Sequence, residues 1–228
     1  MKYLRHHFLF IVISIVLLQG CAVNKNLTTT PAFINGDTLP DAPELARRGE
    51  YPVGVRTLEL VNKNQVNILK AKDGVEPMYD RSLTVEVWYP AIVPAGKVAL
   101  TSYTDYFGSA MDSTRPLVPF NFPGRALRDA APDKQDKAFP LVIVSHGYTG
   151  SRVLLSYLTE NLASKGYVVV AMDHRESTHG DQQGFPSTLL NRSKDIVFVL
   201  TEMAAAGQVT SNTFLSGLVD ANNTALIG

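Results

Sequence analysis

Cysteine is nearly missing from this 228-residue chain. Cys21 is the only one, so no intrachain disulfide can brace the fold. Excess charge is missing too: 21 basic residues meet 21 acidic ones, for a formal net charge of zero. That leaves no electrostatic footprint for nucleic acid, and no long run of like charge marks an interaction tail. No internal repeat is visible. No cluster of ligating side chains has metal spacing, so neither a metal nor an organic cofactor is implied. What is present is ordinary for a globular protein, with 45% hydrophobic and 18% charged residues in a chain long enough for one sizeable domain and a real core.

The N-terminus carries its own pattern. Lys2, Arg5, His6 and His7 form a positive segment, and Phe8 to Leu18 is an apolar run too short to span a bilayer. Leu18-Gln19-Gly20-Cys21 follows at once. Residues 1–21 resemble a bacterial lipoprotein signal, in which a lipidated cysteine becomes the mature N-terminus. Several acyl chains on Cys21 would anchor the protein to the membrane of the cell envelope, since one chain alone is marginal. Ala22 stands where an aspartate would suggest inner-membrane retention, so the resemblance implies the outer membrane in a cell that has one. A plain secretory signal with Cys21 incidental is the competing reading. Residues 22–50 read as a flexible tether, because Thr28-Thr29-Thr30, Pro31, Gly36, Pro40 and Pro43 interrupt any periodicity; an ordered extension packed on the domain is the competing reading.

From residue 51 a domain is expected. Val53 to Val61 alternates around one slip, with Val53, Val55, Leu58 and Leu60 as inward candidates, and Leu83 to Trp88 alternates cleanly. Together they read as an antiparallel pair at the start of a sheet. Residues 91–139 read as irregular, and Tyr103, Tyr106, Phe107, Phe120 and Phe122 are scattered through them. The aromatics could line an acyl pocket or face a membrane; stapling a long loop onto the core is the favoured reading. Asp133 to Lys137 reads as a solvated loop.

The pattern then changes. Leu141 to Val144 is a continuous apolar run ending in His146-Gly147, as a parallel strand buried on both faces would be. A helix is expected over Ser151 to Lys165, with Leu154, Leu155, Leu158 and Leu162 inward, Ser151 at its start and Gly166 at its end. Tyr167 to Met172 is a second buried strand, which makes a right-handed parallel crossover. Ser187 to Met203 reads as the next helix, with Leu189, Ile196, Leu200 and Met203 on one face and Arg192 able to pair with Asp195. Thr224 to Ile227 reads as one more strand. A parallel strand needs covering on both faces, and an uncovered edge is a liability. The chain is therefore expected to be part of a longer protein, although a small domain completed by a partner or by the aromatic loop is a further reading.

A glycine turn after a buried strand can aim backbone N–H groups at a substrate oxyanion. The set Val85-Glu86-Val87-Trp88-Tyr89-Pro90, Val142-Ile143-Val144-Ser145-His146-Gly147-Tyr148, Leu162 to Val169, Asp173-His174-Arg175 and the Arg192–Leu200 helix resembles the α/β-hydrolase superfamily, in the branch of platelet-activating-factor acetylhydrolases and dienelactone-hydrolase-like esterases. The resemblance covers roughly residues 52–228. It implies a mostly parallel sheet with helices on both faces, of which residues 51–228 would be the N-terminal half to two-thirds. It also implies a Gly-x-Ser-x-Gly elbow at the end of the next strand, with Gly228 as its first glycine. The serine, and the later acid and histidine, would lie beyond residue 228.

By the same resemblance, the backbone N–H of Tyr148 would be one oxyanion donor, and His146 and Gly147 would form the turn that holds it. The Tyr148 ring could form a wall of the acyl site. His174 and His179 are expected to support loops. A triad of Ser145, His146 and Asp173 fails, because adjacent strand residues point to opposite faces. The function implied is a serine carboxylic-ester hydrolase acting on lipid or small esters, with this chain alone inactive. The alternative is a non-catalytic, membrane-anchored lipoprotein that uses the fold for binding.

Overall fold

The computed structural model describes residues 34, 36–39, 41–134 and 138–228. Residues 1–21 and Cys21 lie outside them. The sheet is built on two long paired strands, β1 (Val53–Val66) and β2 (Met78–Ile92), joined antiparallel in unbroken register from Val53↔Pro90 to Asn62↔Arg81. The apparent slip in β1 is no bulge. Val53 and Val55 face one layer, while Leu58 and Leu60 pack partly against the other.

Next come β7 (Phe139–Ser145), helix α1 (Ser156–Ser164), β8 (Val168–Met172), helix α2 (Phe185–Gly207) and β9 (Val219–Ile227). Strands β7, β8 and β9 are parallel, with β7 between the other two. Strand β8 meets β2 antiparallel. The short strands β5 (Leu127–Arg128) and β6 (Ala131–Pro132) pair with β1 and β2. The sheet order is β5-β1-β2-β8-β7-β9, with β6 beside β2.

Alternation along the central strands serves both faces at once. Leu83, Val85, Val87, Leu141, Ile143, Val168 and Val170 bury against Val199 and Met203 of α2. Trp88, Val142, Val144, Val169 and Ala171 bury against Val153 and Ala163, on the α1 side. This is the α/β-hydrolase architecture, a mixed sheet with helices on opposite faces.

Three expectations need correction. Residues 91–139 are not uniformly irregular: β3 (Thr101–Phe107) and β4 (Val118–Gly124) form a separate antiparallel hairpin. Its aromatics stack on one another, Phe107 on Phe120 at 4.1 Å and Tyr103 near Phe122 at 5.5 Å. Tyr103 staples the hairpin to the core, accepting from the Trp88 indole N–H (2.7 Å) and donating to Glu160 (2.8 Å).

Helix α1 also turns a different face inward. Ser156, Thr159, Glu160, Ala163 and Ser164 are buried, while Leu154 is exposed. The polar side chains go in because they hold other segments: Ser164 Oγ accepts the Gly49 N–H at 2.8 Å, and Glu160 accepts the Arg125 N–H at 2.8 Å. The helix does end as expected, at Gly166 with φ +91°, a conformation that glycine adopts without strain.

Residues 34–50 are the third correction. Where described, they pack on the domain instead of forming a tether. Ile34 is buried, Asp37 pairs with Arg125, and Arg48 reaches Glu160 at 3.4 Å. Among the described residues, no helix is long and apolar enough to cross a membrane.

Candidate active site

The C-terminal ends of the parallel strands β7, β8 and β9 lie level with one another, and the chain after β7 makes a tight turn, His146-Gly147-Tyr148. His146 is buried, and its ring works inside the turn. Its Nδ1 lies 2.6 Å from the Gly147 carbonyl oxygen, and its Nε2 lies 3.2 Å from the backbone N of His174. A carbonyl only accepts and an N–H only donates, so both bonds form together only in the neutral Nδ1–H tautomer. Burial fits this, pushing the His146 pKa down to about 4. Gly150 lets the turn close: a Cβ there would sit 2.8 Å from His146 Nδ1 and 3.0 Å from the Gly147 oxygen.

This fixes the direction of one donor. The peptide between Gly147 and Tyr148 is trans, so its C=O and N–H point opposite ways. The carbonyl is held inward by His146, and the Tyr148 N–H therefore points outward. Among the described residues, no acceptor takes that N–H. The Tyr148 ring is half-exposed and meets Phe185, also exposed, edge-to-face at 5.9 Å. An adjoining cleft of about 490 Å³ is lined by Ser109, Met111, Arg115, Thr149, His179 and Gln182, among others. His179 joins its walls, its Nδ1 2.8 Å from the Gly108 carbonyl oxygen, in keeping with the loop-supporting role expected for it. Gly228 lies against Ser145, so that a Cβ on it would be 3.5 Å from the Ser145 Cβ.

Beneath the turn lies a polar relay that the sequence reading missed. His174 is fully buried. Its Nε2 accepts from Ser145 Oγ at 3.0 Å, and its Nδ1 donates to Asp195 Oδ2 at 2.9 Å. The Arg81 guanidinium grips Asp195 with two bonds, 2.7 and 2.9 Å, and bonds Glu176 at 2.7 Å. Burial pushes the Asp195 carboxyl up, but the Arg81 and His174 hydrogen bonds outweigh it and hold it below the usual range. Arg192 does not pair with Asp195. It donates through Nη2 to Ser145 Oγ at 2.9 Å and to the His146 carbonyl. The available signal was the 192/195 spacing on one helix, together with Ser145 at the end of β7 and His174 just past the end of β8.

Ser145, His174 and Asp195 have the connectivity of a hydrolytic triad but cannot act as one. Ser145 is 7% exposed and His174 is 0% exposed, so no substrate carbonyl reaches the hydroxyl. A nucleophile must be accessible as well as activated. Ser145 Oγ already donates its proton to His174 and accepts from Arg192. Among the described residues, no group of three or more His, Cys, Asp or Glu side chains could hold a metal ion.

Two comparisons bear on this geometry. Residues 46–185, more than half of the chain, match the family model described as platelet-activating factor acetylhydrolase, isoform II. The fold is also similar to that of a ferulic acid esterase from Streptomyces cinnamoneus, with a TM-score of 0.52 and 25% identity. That match covers 82% of this chain and 53% of the esterase, so the chain spans about half the length of the enzyme it resembles.

Proposed function

Since this chain belongs to the platelet-activating factor acetylhydrolase, isoform II family, we propose that it carries the oxyanion side of a serine carboxylic-ester hydrolase. The observation that carries the reading is the outward-pointing Tyr148 N–H, which finds no acceptor among the described residues, on the turn that follows Ser145, the residue Gly228 lies against. The nucleophilic serine would follow Gly228 in a Gly-x-Ser-x-Gly elbow, and the acid and histidine would come later in the chain. The serine attacks the ester carbonyl as the histidine takes its proton, the histidine passes that proton to the departing alcohol as the C–O bond breaks, and water then hydrolyses the acyl-enzyme and regenerates the serine. Tyr148 N–H and the N–H after the serine would stabilise the developing oxyanion. One such donor is typically worth about 10²–10³ in rate.

Lipid or small esters are the substrates this reading favours. The cleft beside Thr149 has room for the remainder of such a molecule, and the Tyr148–Phe185 pair would wall its apolar part. We further propose that residues 1–21 direct lipidation of Cys21, anchoring the domain in the cell envelope, in the outer membrane where there is one. The positive segment, the apolar run and the lone cysteine support this. Replacing Cys21 by Ser is expected to release the protein from membranes; unchanged membrane fractionation would contradict the anchor.

The function is tested with the protein continued past Gly228. It is expected to hydrolyse p-nitrophenyl acetate and to lose that activity when the elbow serine becomes alanine. Absence of a serine at the elbow would favour the alternative, a binding platform without catalysis.

A further inference from the structure

We propose that Arg192 is a positioning residue for the Tyr148 N–H, set in place by the buried relay Arg81–Asp195–His174–Ser145. Calling that N–H an oxyanion donor rests on the function proposed above; the positioning itself does not.

The need for such a residue starts at Gly147. Glycine has the widest backbone freedom of any residue. A Cβ at Gly147 would find nothing within 4 Å, so no local packing restrains it. Yet the two dihedrals of Gly147 decide where the next N–H points. What can fix them is a hold on the peptide plane at each side. The plane after Gly147 is held by the His146 ring on the Gly147 carbonyl. The plane before it is held by Arg192, which donates to the His146 carbonyl. With both planes clamped, the intervening glycine has no freedom left to use, and the donor is preorganised.

Arg192 can do this because it is itself fixed. The nitrogen that reaches the His146 carbonyl also donates to Ser145 Oγ. Ser145 sends its own proton to His174 Nε2, which leaves its lone pairs for the guanidinium. His174 is held in that tautomer by Asp195, and Asp195 by the two-pronged Arg81. The chain of bonds runs from Arg81 through Asp195, His174 and Ser145, all buried, to the half-buried Arg192 at the turn. A triad-like arrangement thus serves to hold a donor still.

Arg192→Met keeps the bulk and removes the donors. Arg192→Lys keeps a charged nitrogen, and one nitrogen makes both bonds. The direct readout is the Tyr148 amide. The sequence contains two Gly-Tyr steps, Gly147–Tyr148 and Gly166–Tyr167. Carbonyl-¹³C glycine with ¹⁵N tyrosine therefore isolates those two amides by NMR in the full chain. In R192M the Gly147–Tyr148 signal is expected to shift or split, while Gly166–Tyr167, at the other end of β8, stays in place; R192K should lie between.

In the protein continued past Gly228, R192M should lower kcat for p-nitrophenyl acetate by about 100-fold, as small misplacements do. KM should stay within about threefold, because the lost interaction belongs to the transition state. An unmoved Tyr148 amide in R192M overturns the proposal, as does an unchanged kcat in an active enzyme. An inactive wild-type protein whose Tyr148 amide still responds to R192M would sink the esterase reading and leave the positioning role standing.

Discussion

His146 works as a strut in one protonation state only. A second proton on Nε2 would remove the acceptor for the His174 N–H. Its folded pKa, about 4 against an ordinary 6.5, therefore makes stability depend on pH. Between those values the unfolded chain binds the extra proton and the folded chain does not. Stability is fully present above pH 6.5 and falls as pH drops toward 4, by roughly 3 kcal/mol for this group. Urea titrations across that range are expected to show the fall, with a shallower slope in His146→Gln; an equal slope would remove His146 from the account. Asp195 is the other sensitive residue. Asp195→Ala leaves Arg81 and His174 buried without their partner, and breaking a buried pair in this way costs about 3–5 kcal/mol. A denaturation midpoint within error of the wild type would contradict the relay.

At the scale of elements, the hairpin β3–β4 depends on Tyr103. Its hydroxyl is the acceptor for Trp88 and a donor to the buried Glu160 carboxylate. Tyr103→Phe is expected to cost roughly 1–3 kcal/mol, since it leaves two buried polar groups unsatisfied; the hairpin's amides should exchange faster with solvent than those of β7. This hairpin was not legible in the sequence, and the reason is physical. Pro119 and Pro123 interrupt β4, and proline is tolerated there because the two strands form a sheet of their own. The central strands were legible because Leu141–Val144 and Val168–Met172 must be apolar on both faces. The inward face of α1 was not, because a hydrophobic period cannot show that Glu160 and Ser164 turn inward to bind Arg125 and Gly49. Tyr148, His146 and Gly147 were singled out by the family resemblance, as the turn that follows a buried strand. The relay was hidden because its members meet only when β7, β8 and α2 have packed.

At the scale of the molecule, the chain is a family member whose described residues from Ile34 to Glu50 lie against the domain and whose turn, His146-Gly147-Tyr148, follows the Ser145 that Gly228 touches. The central claim is that this turn serves a nucleophile beyond Gly228 and that Ser145, despite its histidine and aspartate, is a brace. One measurement separates these: labelling of the protein continued past Gly228 with a fluorophosphonate, with the adduct located by peptide mass spectrometry. The account predicts a single adduct on the serine two positions after Gly228 and none within residues 1–228. An adduct on Ser145 would contradict it.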